Sequence, residues 1–519
     1  MTDDPHELPL PRRLRREILI ARERVYRLGA PTPLEPMRLD GGIEIWVKRE
    51  DLSPIKAYKW RGAYNRMAVL AAEEKARGVI TASAGNHAQG VALAAARLEV
   101  RATIFMPRTT PGVKQRAVRR WGGEWVEIRL EGDAYDDALN AALAFQKETG
   151  GVYIHAYDDL LVMAGQGTLA DEVVLSGAGP FDVAYLQIGG GGMAAAVACW
   201  LREFYPGIEL VGVEGVGQAS MKQAIESGRR ERLAEMDIFC DGTAVRMPGE
   251  LPFAVCREVL DRIITVTNTE VADAIRIFWD ELRCLSEPSG AMGLAGALQE
   301  RARLGGRRAL VVLCGANIDF SRLGAIATSS GIDHMPRHYL RIEISEEAGS
   351  MLRLLDLGLG ELNIVAFQYG KRDAVRAWPL FGLACAADDY AALEARLRRQ
   401  GFAFEAVEDS AEIPFRMIAL RPELLGPTVF LDLEFYERAG ALHAFLVQTI
   451  QGRANFCYFN YAYSGERVGR ALIGLEFNDL GARAAFLESL SPQGPGYRFC
   501  RPLDERTVEQ FLGIARENG

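Results

Sequence analysis

The sequence predicts an α/β protein in which a large layered region is followed by a smaller, duplicated α+β region. From about residue 40 to residue 330, short apolar runs rich in β-branched residues alternate with helical patterns, which is typical of a mostly parallel sheet covered by helices. After about Gly331 this alternation stops, and two segments of residues 338–519 resemble each other. The 519 residues are more than one ordinary core holds, so several domains are expected.

The predicted strands of the first region are nearly continuous apolar runs, as expected for strands that are covered on both faces. They are Ile43–Val47, Val79–Thr81, Ala102–Met106, Val152–His155, Asp182–Ile188, Glu209–Val213, Ile263–Thr267 and Ala309–Leu313. Helical patterns lie between them, among others at Gln89–Leu98 and Met193–Leu201. Because strand and helix alternate throughout, we expect a largely parallel sheet divided between two subdomains.

The second region contains a repeat. Glu346–Met351 aligns with Glu437–Leu442, and Leu362–Tyr369 aligns with Ala454–Tyr461. Each copy is predicted to run as a strand, a turn containing glycine, a helix and an alternating strand. Because both matches occur in nearly the same register, duplication is favoured over chance. The predicted domains are residues 1–332, 338–415 and 428–519, with Asp333–Arg337 as the linker.

Charge and composition narrow the classes of function. The net charge of −9 argues against a nucleic-acid or anionic-membrane surface, and no apolar run reaches the length of a membrane span. The eight cysteines are scattered without a C-x-x-C pair, and Pro336 interrupts the spacing of His334 and His338. We therefore expect a reduced, cytoplasmic protein without a metal site.

Four consecutive glycines, Gly189 to Gly192, separate a predicted strand from a predicted helix. Such a loop brings several backbone N–H groups and the helix N-terminus onto an anion, so a phosphate site is favoured over a simple turn. The segment from Gly189 to Ala194 also fits the dinucleotide fingerprint, and Glu214 stands where the acid that binds the ribose is expected. An NAD-dependent oxidoreductase is therefore a second hypothesis.

Three other segments carry candidate groups. Ser83–Gly90 opens a predicted helix, so its backbone N–H groups suit a carboxylate, although Ser and Asn are also ordinary caps. Cys314 ends an apolar strand, where α/β proteins bind ligands, and a buried structural cysteine is about equally expected there. Lys56 and Lys59 follow the acidic pair Glu50–Asp51, and the pattern alone does not separate a reactive lysine from a surface charge.

Five motifs, taken in order, resemble those of the threonine dehydratase family. They are A-Y-K-W-R-G-A at Ala57–Ala63, S-A-G-N-H-A-Q-G at Ser83–Gly90, G-G-G-G-M at Gly189–Met193, E-P-S-G-A at Glu287–Ala291 and C-G-A-N at Cys314–Asn317. The resemblance implies a catalytic domain that depends on pyridoxal 5'-phosphate and has the tryptophan-synthase-like fold, fold type II, with two α/β subdomains. The duplicated region resembles the ACT-like regulatory units of biosynthetic threonine ammonia-lyase.

The resemblance also implies a role for each residue of these motifs. Lys59 matches the Schiff-base lysine that also removes the substrate α-proton, and Lys56 is then a bystander. Asn86 would bind the 3-hydroxyl of the cofactor, and Cys314 would face its pyridine nitrogen. The cofactor phosphate would lie on Gly189, Gly190, Gly191, Gly192 and Met193. The substrate carboxylate would lie on Ser83, Ala84, Gly85, Asn86 and His87.

The implied reaction is the β-elimination of L-threonine to 2-oxobutanoate and ammonia, the first step of isoleucine biosynthesis. The resemblance further implies a homotetramer that isoleucine inhibits and in which valine is the antagonist. Ala57 and Cys314 stand where many members carry serine, and serine dehydratases often carry the cysteine, so a serine-preferring dehydratase is an alternative. Ala84 replaces the second acid of serine racemases, so we expect elimination and not racemisation.

Overall fold

The computed structural model of the chain describes residues 8–330, 336–407, 410–436, 440–450, 452–462, 468–494 and 497–513. Residues 333–335 of the predicted linker and residues 437–439 of the second repeated segment lie outside the described residues. The chain divides into two compact units, Met1–Ile332 and Asp333–Gly519. Each unit has its own architecture.

The first unit alternates strands and helices. Its strands are β1 (Leu34–Leu39), β2 (Ile43–Arg49), β3 (Val79–Ala82), β4 (Ala102–Met106), β5 (Val126–Leu130), β6 (Val152–Tyr153), β7 (Val183–Gln187), β8 (Glu209–Gly215), β9 (Arg262–Val266) and β10 (Arg308–Leu313). Its helices are α1 (Leu10–Val25), α2 (Trp60–Ala68), α3 (Ala72–Arg77), α4 (Asn86–Leu98), α5 (Gly112–Gly122), α6 (Tyr135–Thr149), α7 (Leu160–Leu175), α8 (Gly192–Phe204), α9 (Ser220–Ser227), α10 (Glu250–Val259), α11 (Asn268–Leu282), α12 (Pro288–Gln299) and α13 (Leu323–Ser329).

Two sheets organise this unit. The larger sheet has the order β1-β2-β10-β7-β8-β9, and its neighbouring strands are parallel except for the antiparallel pair β1–β2. The smaller sheet has the order β5-β4-β3-β6 and is parallel throughout. The predicted fold class of this region, two α/β subdomains with largely parallel sheets, is therefore confirmed.

The predicted strand Val152–His155 ends early. The strand β6 is two residues long. The carbonyl of Ile154 accepts a hydrogen bond from Thr81 Oγ1 at 2.9 Å and lies 3.0 Å from His87 Nε2, so side chains take up the acceptor that a longer ladder would use. The chain then leaves the sheet as a loop, residues 155–159, which leads into the candidate active site.

A group of four buried charges ties the start of α2 to its neighbours. Arg61 bonds to Glu50, which follows β2, at 2.9 Å, and to Glu172 of α7. Lys48 of β2 pairs with the second oxygen of Glu172. None of the four side chains is more than 3% exposed, so each charge depends on its partners and not on water.

The second unit is built from two similar halves. Its strands are β11 (Arg337–Ile342), β12 (Ile344–Ser345), β13 (Asn363–Gly370), β14 (Arg376–Ala377), β15 (Leu380–Ala384), β16 (Phe404–Ala406), β17 (Thr428–Tyr436), β18 (Asn455–Ala462), β19 (Val468–Glu476) and β20 (Phe499–Pro502). Its helices are α14 (Ser350–Asp356), α15 (Ala387–Arg399), α16 (Glu412–Phe415), α17 (Ala441–Phe445), which continues as a π-turn over Leu446–Ile450, α18 (Leu480–Ser489) and α19 (Glu505–Leu512).

One antiparallel sheet runs through both halves. Its order is β16-β11-β15-β13-β18-β19-β17-β20, so the halves meet where β13 pairs with β18. The first half contributes β16, β11, β15 and β13, and the second contributes their counterparts β20, β17, β19 and β18 in mirrored order. A separate pair, β12–β14, belongs to the first half. The two halves therefore repeat the same strand–helix–strand–strand–helix–strand sequence.

Membrane-spanning helices and metal-binding clusters are both absent from the described part of the chain. Among these residues, no helix is both long enough and apolar enough to cross a membrane. Within the same described residues, no group of three or more His, Cys, Asp or Glu side chains could hold a metal ion.

Candidate active site

Lys59 immediately precedes α2, and its amine lies in a partly buried position. Nζ donates a hydrogen bond to the carbonyl of Ala156 at 2.9 Å. Burial lowers the pKa of Lys59 to about 8, because desolvation disfavours the ammonium form. Lys56, in contrast, has an exposed side chain and a φ of +59°. The structure thus distinguishes Lys59 from Lys56, which the residue pattern alone did not separate.

The backbone around Lys59 is fixed by the chain that follows β10. Tyr58 donates its N–H to the carbonyl of Cys314 at 3.2 Å, and Ala316 donates to the carbonyl of Lys56 at 2.9 Å. Cys314 is buried directly after β10, and burial raises the pKa of its thiol well above the usual range. The thiol is therefore neutral at physiological pH, and Cys314 lies beside the segment that carries Lys59.

The glycine loop between β7 and α8 has no room for side chains. A Cβ atom on Gly190 would lie 2.3 Å from the ring of Tyr157, and one on Gly192 would lie 2.7 Å from the carbonyl oxygen of the same tyrosine. Gly191 has a φ of +92°, a left-handed conformation that favours glycine. Helix α8 begins here without a side-chain cap, so its first N–H groups can bind an anion.

The segment Ser83–His87 follows β3, includes the first two residues of α4 and forms a second loop of the site. A Cβ atom on Gly85 would have no heavy atom within 4 Å apart from its own chain neighbours. Helix α4 also begins without a side-chain cap, so its first N–H groups can bind a carboxylate. Burial lowers the pKa of His87 to about 3, so its imidazole is neutral and supports the loop through Ile154.

Asn86 is held from two sides. Its amide nitrogen donates to Glu287 Oε1 at 2.7 Å, and its amide oxygen accepts from Asn317 Nδ2 at 2.7 Å. Burial raises the pKa of Glu287 to about 7, with the nearby Asp241 carboxylate as the second cause. A Cβ atom on Gly315 would lie 2.6 Å from the same Glu287 oxygen. The orientation of the Asn86 amide is therefore set before any ligand binds.

A chain of contacts joins these groups. Lys59 bonds to Ala156, and the next residue, Tyr157, packs under the glycine loop. Asn86 bonds to Glu287, which packs on the segment after Cys314. The structure thus brings together Lys59, Asn86, the glycine loop and Cys314 as the sequence predicted, while their roles toward a ligand stay predictions.

Two contributors were missed by the sequence analysis. The sequence analysis assigned no role to Tyr157, although its ring packs against the glycine loop at Gly190. Glu287 was part of a recognised motif but was given no function, although it anchors Asn86. The available signal for Glu287 was an acidic residue at the start of an otherwise apolar helix; no local pattern identifies Tyr157.

The position of the Glu214 side chain does not support the hypothesis that the chain binds a dinucleotide. Glu214 is buried, and its two oxygens accept the backbone N–H groups of Met221 and Lys222 at 2.9 and 2.8 Å. Burial raises the pKa of Glu214 to about 8. A side chain that caps the start of α9 in the interior does not reach a ribose hydroxyl, so the prediction of Glu214 as the acid that binds a ribose was wrong.

The residues present fit a cofactor with an aldehyde at one end and a phosphate at the other. An amine of lowered pKa is nucleophilic toward an aldehyde, and Lys59 supplies it. A loop with backbone N–H groups at a helix N-terminus suits a phosphate, and the one between β7 and α8 excludes every side chain larger than hydrogen at Gly190. The fold and the site together therefore define a pyridoxal-phosphate-dependent enzyme.

Comparison with protein families identifies both units. Residues 25–315 match the model of pyridoxal-phosphate dependent enzymes, which is more than half of the chain. Residues 329–414 match the C-terminal regulatory domain of threonine dehydratase, which corresponds to the first of the two duplicated halves.

The relatives agree with this assignment. The chain is 38% identical over 470 residues to the biosynthetic L-threonine dehydratase IlvA of Burkholderia multivorans, covering 89% of this chain and 92% of that protein. It is 36% identical over 472 residues to the enzyme of the same name from Escherichia coli, covering 89% of this chain and 90% of that protein. This chain therefore belongs to the threonine dehydratase family of pyridoxal-phosphate-dependent enzymes.

Solved structures resemble the catalytic unit. The processed form of threonine deaminase isoform 2 from Solanum lycopersicum superposes with a TM-score of 0.59 at 38% identity, covering 62% of this chain and 88% of that one. Maize serine racemase superposes with a TM-score of 0.56 at 29% identity, covering 59% of this chain and 94% of that one. The predicted cofactor and the fold type II class are thereby confirmed.

Proposed function

We propose that the chain catalyses the pyridoxal-phosphate-dependent β-elimination of L-threonine to 2-oxobutanoate and ammonia, the first step of isoleucine biosynthesis. The observation that carries this proposal is the Lys59 amine. It is partly buried, burial lowers its pKa to about 8, and it donates a hydrogen bond to Ala156, the residue before the tyrosine that packs against the glycine loop. The 38% and 36% identity to biosynthetic L-threonine dehydratases supports the choice of substrate.

Each group of the site would have one task. The backbone N–H groups of Ser83–His87 would bind the substrate carboxylate and so orient the α-carbon toward Lys59. Because burial lowers the pKa of Lys59 to about 8, an appreciable fraction of the amine is neutral at physiological pH and can accept the α-proton. The loop Gly189–Met193 would hold the cofactor phosphate, and Asn86 would bind the 3-hydroxyl.

The bound cofactor supplies the electron sink for the bond that breaks at the α-carbon. Cys314 would face the pyridine nitrogen. Since burial raises the pKa of Cys314, a neutral thiol would stand where a carboxylate would hold a proton on that nitrogen. The weaker sink favours prompt loss of the β-hydroxyl group. Ala84 has no hydroxyl group, so it cannot act as a second acid, which supports elimination over racemisation.

A trapping experiment tests the lysine. Purified protein saturated with pyridoxal phosphate is treated with borohydride and mapped by peptide mass spectrometry. We expect the cofactor on the peptide that carries Lys59, and we expect Lys59→Ala to lose both the label and the absorbance band of the bound cofactor. Lys56→Ala is the matched control and keeps both. A label on another side chain would overturn the proposal.

A keto-acid assay tests the substrate. Threonine should give 2-oxobutanoate, and Lys59→Ala should lower the rate by at least roughly a thousandfold, since nucleophile and base are removed together. Serine is assayed in parallel, because Cys314 is the residue that raised the alternative of a serine-preferring dehydratase. A higher kcat/KM for serine than for threonine would replace the proposed substrate by that alternative.

We also propose that the units 338–415 and 428–519 sense an amino acid, with isoleucine as inhibitor and valine as antagonist. An apolar pocket between the two halves supports this. Leu362 and Ile364 of the first half and Phe435 and Leu442 of the second line it. Its walls are aliphatic and aromatic, and an apolar lining of this kind suits the side chain of isoleucine or valine. Adding isoleucine to the keto-acid assay should lower the rate of the intact chain. An unchanged rate at millimolar isoleucine would contradict the proposal.

A homotetramer and a cytoplasmic location complete the proposal. The tetramer is supported by the family resemblance, and light scattering of the purified holoenzyme measures it directly. The location is supported by the eight cysteines, all of which are buried and unpaired, as in a reducing compartment.

A further inference from the structure

His155 is a partly buried titratable residue that has no task in the proposed reaction. It begins the loop 155–159, which runs from the end of β6 to α7 and contacts both Lys59 and the glycine loop. Its ring meets the ring of Tyr157 edge to face, with centroids 4.6 Å apart, and the ring of Tyr153 at 6.0 Å. A histidine in this place is either a packing ring or a hydrogen-bonding group, and its polar contacts decide between the two.

The Nδ1 atom of His155 accepts two backbone hydrogen bonds. The N–H of Tyr157 donates to it at 3.2 Å, and the N–H of Asp158 donates to it at 2.8 Å. A ring nitrogen that accepts carries no proton, so the imidazole is neutral with its proton on Nε2. Burial lowers the pKa of His155 and so favours this neutral form, although the nearby Asp158 carboxylate acts in the opposite direction.

These two N–H groups belong to the peptide units that carry the carbonyls of Ala156 and Tyr157. Both units are trans, so each carbonyl points away from the N–H of its own unit. The carbonyl of Ala156 accepts the hydrogen bond from Lys59 Nζ at 2.9 Å. The carbonyl of Tyr157 lies against the glycine loop, 2.7 Å from the position of a Cβ atom on Gly192. By holding two N–H groups on one side, His155 therefore directs two carbonyls toward the site.

The Ala156 carbonyl is a suitable partner for a reactive amine. A neutral amine that donates one N–H to a carbonyl keeps its lone pair, which can attack an aldehyde or take up a proton. The hydrogen bond also restricts the long side chain of Lys59, which would otherwise occupy several rotamers. A shift of this carbonyl would displace the amine, and small displacements of a catalytic group are costly.

The same loop shows which side chain can replace the Nδ1 acceptor. Asp159 Oδ1 accepts from the N–H groups of Leu161 and Val162 at 2.8 and 2.9 Å, again two and three positions further along the chain. His155→Asn places a side-chain oxygen of the same reach at the start of the loop. His155→Phe keeps a ring for the contact with Tyr157 and offers no acceptor. Two substitutions therefore separate the acceptor of His155 from its ring.

We infer that His155 is a positioning residue for the proposed reaction: its Nδ1 acceptor fixes the two peptide units that present the Ala156 carbonyl to Lys59 and the Tyr157 carbonyl to the glycine loop. The inference rests on the proposed function and deepens it, because it names the side chain that holds the free amine of Lys59 in place. The role belongs to the acceptor, and the ring contact with Tyr157 is secondary.

Kinetics of the full-length holoenzyme compare the two variants. His155→Phe removes the acceptor, so kcat for threonine should fall roughly tenfold to a hundredfold, the loss that a displaced catalytic group typically causes. KM should change little, because the loop Ser83–His87 keeps its backbone N–H groups. His155→Asn restores the acceptor and should recover most of kcat.

A cofactor titration followed by absorbance examines the same loop without any substrate. His155→Phe should weaken the binding of pyridoxal phosphate roughly tenfold, since the loop that packs against Gly190 loses two hydrogen bonds. His155→Asn should bind the cofactor as the wild type does. Circular dichroism establishes that each variant is folded. If His155→Phe does not fold, His155→Ala takes its place, because it removes the acceptor without introducing a different ring.

The opposite results would overturn the inference. If folded His155→Asn loses as much kcat and cofactor affinity as His155→Phe, or if folded His155→Phe keeps both, His155 is a packing ring and not a positioning acceptor. A wild type that carries the cofactor on Lys59 but leaves threonine unchanged would overturn the proposed substrate alone, because the cofactor titration still measures the role of His155. If borohydride trapping finds no cofactor on Lys59, the proposed function and the inference both fail.

Discussion

Two loops of the catalytic unit have the same architecture and opposite packing. Each follows a parallel strand and opens a helix without a side-chain cap: the loop Gly189–Met193 before α8, and the loop Ser83–His87 before α4. At Gly190 an added Cβ atom would lie 2.3 Å from a tyrosine ring, whereas at Gly85 it would meet nothing within 4 Å. A supported loop suits a cofactor that stays bound. An open loop suits a substrate carboxylate that has to enter and leave.

The largest expected effect comes from filling the supported loop. Gly190→Ala should push Tyr157 away and lower the affinity for pyridoxal phosphate by roughly tenfold to a hundredfold, which corresponds to the 1–3 kcal/mol that overpacking typically costs. A cofactor titration followed by absorbance measures it. Tyr157→Ala in the Gly190→Ala background should recover part of the loss. An affinity equal to that of the wild type would show that the loop is not supported by packing.

The second effect concerns Asn86. This residue belongs to the open loop, but two side-chain hydrogen bonds, to Glu287 and from Asn317, fix its amide. Asn86→Ala leaves the buried Glu287 carboxyl without its side-chain donor, a change that costs about 1–3 kcal/mol. Cofactor affinity should fall by roughly tenfold or more. Asn317→Ala loosens the same amide without removing it, so its effect should be smaller. Equal effects of the two substitutions would contradict the predicted role of Asn86.

The third effect is a dependence of the free energy of unfolding on pH. Burial raises the pKa of Glu287 from 4.5 to about 7, so between these values the folded state keeps a proton that the unfolded state releases. Stability that is present at low pH is therefore lost as the pH rises toward 7. Glu287→Gln does not titrate, so the wild type should lose stability relative to it by up to roughly 1.4 kcal/mol per pH unit.

Urea unfolding of both proteins at pH 5 and pH 7 measures this difference. Buried groups that do not interact with Glu287, such as Glu214, contribute equally to both proteins and cancel in the comparison. A difference in unfolding free energy that stays constant between the two pH values would show that Glu287 is ionised throughout.

The smallest effect is expected in the open loop. Gly85→Ala adds a methyl group where space is free and where φ is −124°, so the cofactor affinity should stay within about 0.5 kcal/mol of the wild type. The KM for threonine should rise, because the methyl group lies among the N–H groups that would bind the substrate carboxylate. A loss of cofactor affinity as large as that of Gly190→Ala would remove the distinction between the two loops.

The two loops also show which features of the site a sequence can predict. Lys59, Asn86 and the glycine loop were recognised because each belongs to a contiguous motif at the junction of a strand and a helix. The support of these groups was not recognised, because Asn86 and Glu287 are 201 positions apart and only the fold makes them neighbours. Tyr157 lies in a loop whose strand ended two residues earlier than predicted. Packing between distant segments leaves no local pattern.

Glu214 illustrates the opposite error. Its spacing from the glycine loop fits the dinucleotide fingerprint, but its side chain turns inward and caps α9. A sequence pattern fixes the position of a residue along a strand. The direction of its side chain depends on neighbours such as the α9 backbone, which the pattern does not contain.

The charges Lys48, Glu50, Arg61 and Glu172 sum to zero in a dry interior. A single neutral substitution leaves one ion without its counterion, at a typical cost of about 3–5 kcal/mol, while exchanging a cation and an anion together for apolar residues is often tolerated. Over evolution, substitutions at these four positions should therefore occur together. A mutational library around α2 should vary Arg61 and Glu172 jointly, since one-at-a-time scanning would report both as indispensable.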